Sequence, residues 1–92
     1  MSKTPSAHIL KCWPEYFQAI SNGSKKFELR KNDRGFKTGD TLILVEYDPE
    51  TAQFTGLKTK AEVDFLLASF PGLEPGYVAM SLTNVRRLGI DY

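Results

Sequence analysis

The chain has 92 residues, with twelve basic and eleven acidic side chains and a formal charge of +1, enough for one domain with a core of its own. A single cysteine and a single histidine rule out an internal disulfide and leave too few ligands for a structural zinc site, and a reducing compartment suits such a chain. No apolar run reaches the roughly 18 residues of a membrane span, and Met1–Ala7 has no apolar signal-peptide segment. These features predict a cytoplasmic domain without membrane, metal or cofactor, divided into a flexible N-terminus (1–7), the domain (8–84) and a tail (85–92).

His8–Cys12 is short and apolar enough for a first strand. Pro14 suits a first helical turn, Glu15 suits the positive end of the helix dipole, and Asn22-Gly23 supplies a C-terminal stop. A short helix over about 14–22 follows, with Trp13, Phe17 and Ile20 recurring as an apolar stripe beside Tyr16. Lys26–Arg30 then alternates, so Phe27 and Leu29 face one way while Lys26, Glu28 and Arg30 face the other. Asn32–Gly35 and Lys37–Asp40 read as turns. Thr41–Val45 is apolar on both parities, as in a strand buried on both faces. Leu57–Phe65 alternates cleanly, with Leu57, Thr59, Ala61, Val63 and Phe65 on one side. Pro71-Gly72 and Pro75-Gly76 bracket a loop, and Tyr77–Thr83 is a last strand carrying Val78, Met80 and Leu82 on one face. Asn84–Tyr92 has no clear period. One early helix and about five strands predict an α+β, mainly β fold, closed as a small barrel that removes exposed edges.

The positive charge is concentrated. Lys25, Lys26, Arg30, Lys31, Arg34 and Lys37 fall within thirteen residues, against Glu28 and Asp33. Such a patch on a near-neutral chain draws an anion to one place, and phosphate is the natural candidate. The plain alternative is a solvated strand edge whose lysines discourage edge-to-edge pairing.

The run His8-Ile9-Leu10-Lys11-Cys12-Trp13-Pro14-Glu15-Tyr16-Phe17, followed by Gly23–Arg34, Phe36–Tyr47, Thr55-Gly56 and Pro75-Gly76-Tyr77-Val78, resembles DUF3850, a domain of the ASCH group in the PUA-like superfamily. The resemblance covers most of residues 8–84 and is most specific in its first half. It implies a PUA-like β-barrel with a cleft beside the helix. Members of the wider superfamily bind RNA or modified bases, and some ASCH relatives are small amidohydrolases acting on acetylated cytidine.

On that basis RNA is the expected partner, with single-stranded DNA or a modified nucleotide as further possibilities. Lys25, Lys26, Lys31, Arg34 and Lys37 would meet phosphates, and Glu28 and Arg30 would read a base in the cleft. Arg30 offers a planar fork for phosphate or the O6/N7 edge of guanine, and Glu28 can accept from an exocyclic amine or orient Arg30. Trp13 and Tyr16 are candidate stacking faces, although aromatics at helical spacing more often pack a core. The same Glu28 and Arg30 could equally form an ordinary ion pair. The amidohydrolase alternative places its lysine at Lys25. Glu28, however, stands where those relatives carry a threonine, and only Glu74 approximates their later glutamate. Glu28 stabilises the ammonium form of Lys25, which suits a phosphate contact better than a nucleophile. A third alternative is a protein-interaction module docking an acidic partner. His8 and Cys12 lack a third orienting group, so Cys12 reads as a small buried hydrophobe.

Overall fold

The computed structural model describes residues 5–88. Its elements run β1 (Ala7–Cys12), α1 (Pro14–Ser21), β2 (Phe27–Lys31), β3 (Thr41–Asp48), β4 (Gln53–Ala68) and β5 (Tyr77–Leu88). The strands make one curled sheet in the order β1-β3-β4-β5-β2. β1 lies parallel to β3 and every other neighbour pair is antiparallel. The expected five strands and single helix are present. The sheet is a half-barrel, with β1 and β2 at its two edges, and its closure is not made by a backbone ladder.

Side chains hold that seam. Thr41 N donates to Ser6 O at 2.9 Å, so alternate β1 residues bond to β3 and the carbonyls of Ile9 and Lys11 point to the outer edge. Arg34 Nη1 donates to Ile9 O at 2.8 Å and Arg30 Nη2 donates to Lys11 O at 2.5 Å. Two guanidinium groups thus occupy acceptors that a sixth strand would have taken.

The core is formed by Leu10, Phe17, Ile20, Leu42, Leu44, Val63, Val78 and Met80, with Cys12 and Phe36 at its margin. Helix α1 starts at Pro14 without a side-chain cap and carries Glu15 in its first turn. It ends where Asn22 N bonds Gln18 O and Gly23 takes φ +88°, a left-handed conformation that costs glycine little. Phe17 and Ile20 turn inward from it, whereas Trp13, expected in the same stripe, and Tyr16 beside it are 55% and 45% exposed, because Trp13 precedes the helix in extended conformation.

Three strand expectations change. Thr41–Val45 is buried on one face only: Leu42, Leu44 and Glu46 point inward, while Ile43 and Val45 are half-buried. In β4 the alternation breaks at a register shift between Val63 and Phe65. Phe65 is therefore turned outward, 63% exposed, and Leu66 takes over packing against the core. β5 runs on to Leu88, pairing Lys58 with Leu88 and Lys60 with Arg86 after an extra residue at Asn84, φ +51°. There Asn84 Nδ2 donates to Glu62 Oε1 at 2.9 Å. Arg87, in this extension, lies 5.2 Å above the Phe17 ring. No helix among the described residues is long and apolar enough to cross a membrane.

Candidate functional site

A cleft of about 610 Å³ opens at the seam, where the end of β1, helix α1 and β2 converge. Trp13, Tyr16, Phe27, Leu29 and Tyr77 give it apolar and aromatic walls, and Lys11, Lys25, Glu28, Arg30 and Lys31 bring charge, with Cys12 at its floor. Trp13 and Tyr16 lie nearly parallel, their ring centroids 6.4 Å apart at an interplanar angle of 22°. Local sequence explains that pair. Trp13 is the residue before Pro14 and therefore extended, at φ −64° and ψ 150°, while Tyr16 stands one helical turn on.

The alternation of β2 correctly separates Phe27 and Leu29 from Glu28 and Arg30, but the burial is the inverse of a core-facing strand. Phe27 and Leu29 are 52% and 53% exposed, whereas Glu28 is 5% exposed. The carboxylate is tolerated because two cations reach it. Lys25 Nζ lies 3.3 Å from Oε1, and Arg30 Nε donates to Oε2 at 2.6 Å. Lys25 Nζ also donates to Phe27 O at 2.8 Å and sits 4.7 Å from the Phe27 ring centroid. Arg30 is thus fixed at two points, the Glu28 carboxylate and the Lys11 carbonyl.

Cys12 is buried beside this cluster. Burial and then the negative charge of Glu28 push its thiol up to about 11, so it stays a neutral thiol at physiological pH. A second buried carboxylate, Glu46, accepts from Gln18 Nε2 at 3.0 Å and Thr55 Oγ1 at 2.6 Å, and ties the helix to β3 and β4.

Of the residues picked out by charge, Lys25, Glu28, Arg30 and Lys31 line the cleft together with Trp13 and Tyr16. The remaining cations lie elsewhere. Lys26 Nζ turns back to the Gly23 carbonyl, and Arg34 is taken up by the seam. Lys37 Nζ pairs with buried Asp40 at 3.6 Å, in a separate knot at the other end of β1. There Asp40 also accepts from the backbone of Ser6 and Lys37 and meets His8 Nε2 at 2.8 Å. Glu74 is not among the cleft residues. Charge counting missed Lys11, Phe27, Leu29 and Tyr77. For Phe27 and Leu29 the signal was present in the alternation, since two apolar side chains opposite a carboxylate need not be the buried ones.

A family model described as a domain of unknown function (DUF3850) matches residues 7–82. The chain belongs to the DUF3850 family. This DUF3850 domain is also 41% identical over 56 residues to a protein of Escherichia phage P2 described as "Uncharacterized 12.9 kDa protein in GpA 3'region". The matched stretch is 61% of this chain and 50% of the phage protein, so the chain spans about half the length of that relative. Every residue lining the cleft falls inside the DUF3850 match, whereas Thr83–Leu88 of β5 lie beyond it.

Proposed function

We propose that this DUF3850 domain is a nucleic-acid-binding module of the PUA-like, ASCH type, taking RNA ahead of DNA, with a single-stranded segment seated in the seam cleft. The observation that carries this reading is the placement of the Trp13–Tyr16 pair and the Lys25–Glu28–Arg30 cluster in one cleft. Exposed flat rings offer stacking surfaces that every base can use, worth about 1–3 kcal/mol per base. Lys31 stands at the same cleft as an exposed cation for the backbone, while the Lys11 ammonium lies 4.4 Å from the Tyr47 ring centroid at the cleft's margin. A curled five-stranded sheet with one early helix is compatible with the barrel of that superfamily.

Hydrolysis through Lys25 is poorly supported, because its ammonium is held by Glu28 and the Phe27 carbonyl and a nucleophilic amine must be free of its proton. The deciding experiment is fluorescence anisotropy with single-stranded RNA, duplex RNA and single-stranded DNA at two salt concentrations. With Lys25, Arg34 and Lys37 engaged internally, contact with two or three phosphates gives a log–log salt slope of about −2 on single strands. Saturable binding that prefers single-stranded RNA is the expected result. Absence of binding at low salt overturns the proposal.

A further inference from the structure

Resting on that reading of the cleft, we infer that it selects a base with two adjacent acceptors, guanine or cytosine over adenine, with Arg30 as the base-reading residue and Glu28 as the group that positions it. The inference follows from which hydrogen-bonding groups of the cluster are already committed. A guanidinium has five N–H donors and no acceptor. In Arg30, Nε is engaged by Glu28 Oε2 at 2.6 Å and one Nη2 proton by Lys11 O at 2.5 Å. Those two contacts leave both protons of Nη1 and the second proton of Nη2. Arg30 lines the cleft with its side chain 27% exposed, so this remaining fork is accessible while its plane is held.

Glu28 is in the opposite position. It is buried, and each of its oxygens already accepts from a cation. A ligand therefore meets donors at this cluster and finds no readily reached acceptor. Two bases present two acceptors side by side: guanine at O6/N7, and cytosine at O2/N3 on the Watson–Crick edge that a single strand leaves open. Adenine places an amino group beside N7, and that amino group would face the Arg30 donors. Cytosine keeps its amino group at N4, on the far side of N3 from O2, so its acceptor pair can meet the fork without that donor facing Arg30.

A phosphate would also satisfy an arginine fork, but two features favour a base. The plane of Arg30 is fixed at close range by Glu28, so its remaining donors point in a set direction, as base recognition needs. The surfaces flanking it are Trp13, Tyr16, Phe27 and Leu29, apolar walls suited to a flat ring and poor for a solvated anion.

The test is isothermal titration calorimetry of the intact chain with the monophosphates of guanosine, inosine, adenosine and cytidine, beside single-stranded RNA. Inosine retains O6 and N7 and lacks only the exocyclic amine of guanine. Guanosine, inosine and cytidine monophosphates are expected to bind alike, and the adenosine compound to bind more weakly by on the order of tenfold. Arg30→Lys keeps the charge without the fork and should abolish the preference. Glu28→Gln keeps the shape, releases Arg30 and should reduce the preference, with the folded state of each variant checked by circular dichroism. Equal affinity for all four nucleotides, with RNA binding intact, overturns selection by paired acceptors and leaves the binding module standing. RNA binding without any nucleotide binding also overturns it. Loss of both RNA and nucleotide binding in the unmodified chain overturns the module itself.

Discussion

Arg30 and Lys11 are joined across a gap that no backbone ladder closes: Nη2 of Arg30 donates to the Lys11 carbonyl at 2.5 Å. The same guanidinium grips Glu28. Seam and cleft therefore share one side chain, so the stability of the half-barrel and the shape of the site are coupled. Arg34 and Ile9 make a second bridge outside the cleft, which allows the two roles to be separated.

Arg34→Ala should lower stability by about 1 kcal/mol, the scale of a partly exposed charge-assisted hydrogen bond, while leaving ligand preference unchanged. Lys31→Ala should do the reverse, with little change in stability and a salt slope shallower by roughly 0.7 on single strands. Urea denaturation and salt-dependent anisotropy of the two variants read these effects directly. A larger fall in slope for Arg34→Ala than for Lys31→Ala would contradict the assignment.

Glu28→Ala removes the shared acceptor of Lys25 and Arg30. Both partners are only partly buried and can reach water, so the expected loss is about 1–3 kcal/mol. Lys25→Ala combined with Glu28→Ala should cost less than the sum of the single changes, and a double-mutant cycle measures that coupling.

Trp13→Ala and Tyr16→Ala remove rings that are half exposed, so their effect on folding should be small. Each should weaken single-stranded RNA binding by about 1–3 kcal/mol. A thermal melt beside an anisotropy titration distinguishes this from the result for a ring that packs the core, where stability falls and binding follows.

Asp40 links stability to acid. Burial alone would raise its carboxyl, but the Ser6 amide, His8, the Lys37 amide and the Lys37 charge together hold it below its ordinary value of 3.8. The unfolded carboxyl takes up a proton near 3.8 and the folded one only at lower pH, so the unfolded chain binds more protons in between. Asp40 therefore contributes stability that is fully present above that value and is lost as pH falls through the folded one. Urea midpoints measured from neutral pH down to about pH 3 should decline, and Asp40→Asn should flatten the decline.

Cys12, with its thiol pushed up to about 11, should react with a thiol-directed reagent at neutral pH far more slowly in the native protein than in denaturant. Native and denatured rates that match would show the thiol to be accessible and ionised.

Element types were readable from periodicity and turn residues, and the short helix was placed almost to the residue by Pro14 and Asn22-Gly23. What periodicity cannot supply is the direction of a face. In β2 it separates Phe27 and Leu29 from Glu28, but only the open seam decides that the carboxylate lies inside. Nor does it show a bulge: after Val63 the extra residue reverses the faces, so Phe65 points out and Leu66 packs inward. Charge clustering located Lys25, Glu28 and Arg30, yet it could not tell cations facing a ligand from those holding the fold, because Arg34 finds its partner in distant β1 and Lys37 pairs with Asp40, three residues on, whose burial only the fold creates. Lys11 escaped notice for the converse reason, as a lone cation beside aromatics that only the fold assembles.

The strand order also dictates a timetable. β1 and β2 occupy the outer positions of the sheet, and their partners, β3 and β5, both come later in the chain. During synthesis the residues that line most of the cleft leave the ribosome with nothing to pair against, and β2 must wait until Tyr77–Leu88 has been made. At about 5–20 residues per second that delay lasts seconds. Throughout it Phe27 and Leu29 remain on an unpaired strand, a segment that a chaperone could hold or a neighbouring nascent chain could capture before the β5 ladder secures it.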